Sequence, residues 1–178
     1  MFRTITIVGV GLISGSFSLI LKNKKLVERV IGVSRTEQSL KRAMELGIID
    51  EALPLEEAVK QSDLIYVAIP VDATIPMMRR IMDLITDKQI VADAGSTKKA
   101  LCEALAHHPM RHRFVATHPM WGTEYSGPEA AVLDAFAGRT CVIYEKEKSD
   151  PDAVETMEKI YKLLGMHVTY MDADSHDM

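Results

Sequence analysis

The sequence is poor in cysteine: Cys102 and Cys141 are the only two in 178 residues. Two thiols cannot make a disulfide framework, and they suit a reducing compartment. A basic excess is also missing. The chain carries 21 Lys and Arg against 25 Asp and Glu, a formal net charge of −4. Sequence-independent nucleic-acid binders carry the opposite balance, so no nucleic-acid partner is expected. No repeat and no low-complexity tract interrupts the chain. The one long uncharged stretch, Thr4 to Leu21, holds three Gly and five Ser or Thr, and no Ala precedes Ala43. Without an A-x-A cleavage site it reads as buried rather than as a signal or a membrane segment. A soluble, cytoplasmic protein with no membrane partner is expected. His107, His108, His112 and His118 cluster loosely near Cys102. Their spacing fits no standard zinc pattern, and no metal is expected.

What is present is alternation. Arg3–Val8 is short, apolar and β-branched, like a buried parallel strand. Further strands are expected at Val30–Val33, Asp63–Pro70, Gln89–Asp93, Arg113–Thr117, Thr140–Tyr144 and His167–Met171. Helices are expected between them: Leu12–Leu21, Thr36–Leu46 with a Thr36 cap and Gly47 past its end, and Leu55–Gln61. Others are expected at Asp72–Leu84, Thr97–His107, about 128–136 and Asp152–Leu164. Strands alternating with helices of about ten residues mean βαβ units. With right-handed crossovers they predict an α/β fold, a doubly wound and mostly parallel sheet. Residues 1–171 are assigned to this domain. Residues 172–178 read as the opening of another helix, the expected connection to a second domain.

Gly9-Val10-Gly11-Leu12-Ile13-Ser14-Gly15 follows a strand and opens a helix, which is the context of a dinucleotide-binding turn. Gly9 permits the tight turn and Gly11 a close approach to a pyrophosphate. The helix start, with Leu12 and Ile13, offers free amides and a favourable dipole. Ser14 stands where Gly or Ala usually packs helix on strand. The end of the second strand lacks a carboxylate. It reads Val33-Ser34-Arg35-Thr36, and an NAD site usually has Asp or Glu there for the ribose 2′-hydroxyl. Ser34 and Arg35 therefore favour NADP over NAD, the alternative for Arg35 being a solvated surface residue. Two polar loops leave later strands: Ala92–Lys98, with Ser96, and Thr117–Gly127, with His118. His118 is the one histidine expected immediately after a strand in such a loop. A neutral imidazole there suits proton abstraction from a hydroxyl, with Ser96 orienting it or the substrate.

These pieces carry a resemblance. Gly9 to Ser16, Ile69-Pro70-Val71, Asp93-Ala94-Gly95-Ser96-Thr97-Lys98 and His118-Pro119-Met120-Trp121-Gly122-Thr123-Glu124-Tyr125-Ser126-Gly127 run in order. Together they resemble the prephenate/arogenate dehydrogenase family of tyrosine biosynthesis. The family usually has Gly where Ser14 stands. The resemblance implies a Rossmann-type domain and NAD(P)-dependent oxidative decarboxylation of prephenate or arogenate. His118 would accept the 4-hydroxyl proton, Ser96 would hydrogen-bond nearby, and Thr123 and Glu124 would line the substrate mouth. Ile69 and Pro70 join Gly9, Gly11, Leu12, Ile13, Ser34 and Arg35 at the cofactor. It also implies a C-terminal helical domain that makes a homodimer and supplies an arginine for the substrate carboxylate. Two other readings compete. A non-catalytic nucleotide-binding regulatory module explains the first loop but not Ser96 or His118. A β-hydroxyacid-type dehydrogenase shares the Gly loop, but the His-Pro-Met loop argues against it.

Overall fold

The computed structural model describes residues 2–120 and 136–172. Eight strands there join one sheet: β1 (Phe2–Val8), β2 (Val27–Val33), β3 (Glu51–Ala52), β4 (Leu64–Val67), β5 (Ile90–Asp93), β6 (Phe114–Pro119), β7 (Thr140–Tyr144) and β8 (His167–Met171). The helices are α1 (Leu12–Asn23), α2 (Glu37–Glu45), α3 (Leu55–Gln61), α4 (Val71–Leu84), α5 (Lys99–Leu105) and α6 (Pro151–Leu163). The strand order is β3-β2-β1-β4-β5-β6-β7-β8. Strands β1 to β6 pair in parallel, β7 runs antiparallel to β6, and β8 is parallel to β7. This is the expected doubly wound, mostly parallel sheet.

The alternation of side chains along each strand feeds two cores. On β4, Leu64 and Tyr66 enter one core with Phe17 of α1, Ala43 of α2 and Tyr161 of α6. Ile65 and Val67 enter the other with Val59 of α3, Met78 of α4 and Leu101 of α5. All four β4 residues are buried, which is why that segment reads as one unbroken apolar run. The Phe17 and Tyr66 rings stack with centroids 3.8 Å apart. Both halves of the uncharged Thr4–Leu21 stretch are thus core. Among the described residues no helix is long and apolar enough to cross a membrane.

Several local expectations need correction. The two-residue strand β3 carries too little sequence to show a pattern; it pairs through backbone with Ile31 and Gly32. Thr36 stands at the α2 N-cap, but its side chain makes no capping bond. Helix α5 begins at Lys99, not Thr97, because Lys98 is drawn inward to Asp93. Pro76 sits in the second turn of α4, later than its missing N–H would suggest. It is exposed, so water can take the carbonyl it leaves unbonded. Strand β6 runs on through His118 to Pro119, because antiparallel β7 continues the ladder beside it. The helix expected at about 128–136 lies almost wholly outside the described residues.

Candidate functional site

Strand β1 has β2 on one side and β4 on the other. Its crossovers leave in opposite directions, and a crevice opens beyond the strand ends at that point. Gly9 fills it with backbone. Its N–H donates to the Val33 carbonyl at 2.8 Å, and its φ is +89°. A Cβ there would stand 2.3 Å from the Ala68 carbonyl oxygen and 2.7 Å from Ile69 Cγ2. The turn is therefore pressed against the end of β4, which brings Gly9 and Ile69 together. Gly11 differs: a Cβ there would meet nothing within 4 Å. That open space borders the start of α1, where the first helical bond is Gly15 N–H to the Gly11 carbonyl, 2.9 Å. The amides of Leu12, Ile13 and Ser14 precede it and have no carbonyl one turn earlier. No acidic residue occupies the first turn. Free amides, a positive helix end and room beside Gly11 fit the pyrophosphate of a dinucleotide.

Ser14 has a role at its unusual position. It is fully buried, and its hydroxyl donates to the Gly9 carbonyl at 2.5 Å. The hydroxyl ties helix to turn at the position where the general pattern has Gly or Ala. At the end of β2, Ser34 is half-buried and Arg35 exposed. Ser34 Oγ accepts from the Thr36 N–H at 3.4 Å. Pro70 is exposed and caps α4.

The second group of site residues lies at the ends of β5 and β6. Asp93 and Lys98 are both wholly buried and form an ion pair. Asp93 Oδ2 also accepts the Gly95 N–H at 3.1 Å, and Oδ1 accepts the Thr117 N–H at 3.3 Å. Burial pushes the Asp93 carboxyl up from its ordinary value, while Lys98 and the two amides oppose that shift. The Thr117 hydroxyl donates to the Asp93 main-chain carbonyl at 2.6 Å and meets the Tyr161 hydroxyl at 2.7 Å. Tyr161 in turn shares a hydrogen bond with Tyr66 at 2.7 Å. His118 is half-buried inside β6, opposite Val142. Period-two alternation puts it on the face of β6 that Ala116 shares. Ser96 is exposed on the loop between β5 and α5. Thr123 and Glu124 lie outside the described residues.

The loose histidine cluster disperses. His108 Nε2 contacts Asp83 at 2.7 Å, and His112 Nε2 contacts Asp87 at 2.9 Å. His118 lies beyond them along β6, four residues past Phe114, about 13 Å of extended strand. Burial pushes both Cys102 and Cys141 up to about 12, so neither thiol is poised as a nucleophile. The buried set of Asp93, Lys98, Thr117 and Tyr161 was not foreseen as a unit. The one available signal was a carboxylate closing an otherwise apolar strand.

A doubly wound sheet with a glycine turn at its switch point defines a dinucleotide-binding domain. Residues 17–170 match the family described as prephenate dehydrogenase, nucleotide-binding domain, and the chain belongs to that family. It is 32% identical to the prephenate dehydrogenase of Bacillus subtilis (strain 168) over 180 residues, covering 99% of this chain and 48% of that protein. The crystal structure of A. aeolicus prephenate dehydrogenase in complex with hydroxyphenyl propionate and NAD+ superposes with a TM-score of 0.92 at 27% identity. That match covers 99% of this chain and 62% of the other. Synechocystis arogenate dehydrogenase follows at a TM-score of 0.88 and 26% identity, over 98% of this chain and 62% of the other. The chain spans about half the length of the curated B. subtilis relative.

Proposed function

We propose that this chain is the cofactor-binding part of an NAD(P)-dependent dehydrogenase that oxidatively decarboxylates prephenate or arogenate in tyrosine biosynthesis. One observation carries the reading. The His118 strand and the Ser96 loop are fastened to each other at the ends of β6 and β5, on the edge of the sheet where the Gly9–Ser14 turn opens. A bare nucleotide-binding module gives no reason for that second group.

The bound nicotinamide supplies the hydride acceptor. The Gly9–Ser14 turn holds the pyrophosphate through backbone amides, and Ile69 and Pro70 border the crevice. His118 takes the proton of the substrate's 4-hydroxyl as that carbon is oxidised. The ring carboxylate departs as CO₂, its bonding electrons completing an aromatic ring. Ser96 hydrogen-bonds beside His118, and Thr123 and Glu124 line the substrate mouth. NADP is preferred to NAD: residues 33–36 hold no carboxylate to repel a 2′-phosphate, Ser34 can donate to it, and Arg35 can pair with it. Residues 1–171 form the cofactor domain. The helical domain that the family resemblance implies would dimerise and bind the substrate carboxylate.

The test is nicotinamide reduction by the protein at its relatives' length, with both substrates and both cofactors. Oxidation of either substrate supports the reading. Tight cofactor binding without turnover of either would favour the non-catalytic module. Arg35→Ala should weaken NADP about ten- to hundredfold and spare NAD, as expected for one charge-assisted contact. Equal weakening of both would remove Arg35 from the ribose site.

A further inference from the structure

We propose that Asp93, with Lys98, is a positioning residue that locks the Ser96 loop to the His118 strand, so that the two move as one unit. The coupling is argued from geometry alone; its consequence for turnover rests on the roles given to Ser96 and His118 above.

The parallel ladder between β5 and β6 ends at the pair Asp93 and Ala116. Beyond it, residues 94–98 turn away and residues 117–119 run on. His118 is held on its other side by β7, through its pairing with Val142. Ala94 is held on its other side by the Val67 carbonyl at 2.9 Å. Across the gap, the Asp93 carboxylate replaces the ladder. Oδ1 takes the Thr117 N–H, one residue before His118, and Oδ2 takes the Gly95 N–H, one residue before Ser96. The Thr117 hydroxyl returns to the Asp93 carbonyl as a third link.

Lys98 completes the loop. Its ammonium reaches the same carboxylate, so Asp93 grips residues near both ends of the segment 94–98. Ser96 is left exposed at the tip. A wholly buried ion pair is a weak source of net stability, because desolvation offsets the attraction. What it supplies here is geometry. An ionised carboxylate is acceptor-only on both oxygens, and both sides of Asp93 face N–H donors. Asparagine cannot substitute: its amide group would confront one of the two donors. One tether must break even when the charge of Lys98 is removed as well.

Two variants of the 178-residue chain test the coupling by native-state amide exchange, with Ile31 on β2 as a remote control. In Asp93→Asn/Lys98→Met the buried charges are gone together, and exchange at Gly95 and Thr117 should both accelerate about tenfold or more. Gly95→Ala leaves every charge in place. Its Cβ would lie 3.3 Å from Asp93 Oδ2, so it pushes the carboxylate from one loop only. Thr117, on the other strand, should then exchange faster while Ile31 is unchanged. Thr117 exchange at the wild-type rate in Gly95→Ala would overturn the coupling, and this variant decides alone if the double variant does not fold. At the relatives' length, the double variant should lose about tenfold in kcat with cofactor Kd and melting temperature near wild type. A kcat loss that comes only with a matching fall in melting temperature would reduce the pair to a structural role. A wild-type protein inactive on both substrates would instead defeat the proposed function and leave the exchange result standing.

Discussion

At the end of β1 the chain offers backbone. Gly9 and Gly11 present no side chain, and the first turn of α1 carries no acidic residue. Two strands away, at the end of β5, it offers the reverse: Asp93 and Lys98, both wholly buried and paired. On the proposed function the two regions do different physical work. An extended anion needs many weak donors at close range, which amides supply only where side chains are absent. Proton abstraction needs one imidazole held at a defined place, and strand ends do not hold themselves once the ladder stops. A buried carboxylate that accepts on both sides supplies that hold, at the cost of desolvating two charges.

The largest effect expected on this contrast is at His118. In the protein at its relatives' length, His118→Asn should lower kcat by about 10²-fold or more, the usual span for a lost general base. Cofactor affinity should barely change, since the turn at β1 is untouched. Measured kcat near wild type would mean that the β5–β6 end is scaffold, and the division of labour would collapse.

The two glycines sharpen the backbone side. Gly9→Ala forces a Cβ into the Ala68 carbonyl at a positive φ, and should destabilise the fold by about 1–3 kcal/mol or more. Gly11→Ala meets open space and should leave the melting temperature alone while weakening cofactor binding. Thermal melts and cofactor titrations of the pair separate a residue that shapes the turn from one that clears room for a ligand. Equal loss of stability in both would show that Gly11 is structural too.

How far these features can be read from sequence follows the same line. The glycine turn is legible because its function is the absence of side chains at fixed spacing. The β4 run Leu64–Val67 is legible because both faces are buried. Lys98 is not, since a lysine in a polar loop reads as solvated, and only its partner five residues earlier makes burial tolerable. His118 reads as the first loop residue because β6 has no further apolar pattern. Its place in the strand is set by β7, whose antiparallel register no local pattern encodes. Ser14 reads as a flaw in the turn until its bond to the Gly9 carbonyl is seen.

Tyr161→Phe probes the link between the chemistry end and the core. The Thr117 hydroxyl spends its proton on the Asp93 carbonyl, so Tyr161 must donate to Thr117 and Tyr66 to Tyr161. Removing the middle hydroxyl strands the buried Tyr66 proton. A loss of about 1–3 kcal/mol in denaturant unfolding is expected, the cost of an unsatisfied buried donor. Tyr66→Phe should cost less, because it leaves no donor without an acceptor. A larger loss for Tyr66→Phe would reverse the assigned direction of the chain.

The smallest effect lies away from both regions and tests whether charge placement at the site is special. Arg113 is nearly buried, and its Nη1 donates to Asp152 at 2.9 Å and to Asp150 at 3.2 Å. The hydrogen bond from Arg113 holds the Asp152 carboxyl below its ordinary value, the opposite direction to Asp93. A carboxyl depressed in the folded state contributes stability that is complete above the unfolded value, about 4, and is lost as pH falls through the lower folded value. Asp152 is 68% exposed, so solvent screening limits the contribution to a few tenths of a kcal/mol. Asp152→Asn should therefore melt slightly below wild type at pH 7, and the two curves should converge as pH falls below the lowered folded value, where the wild-type carboxyl is itself protonated. A gap that persists at acid pH would assign the loss to the shape of the side chain rather than its charge.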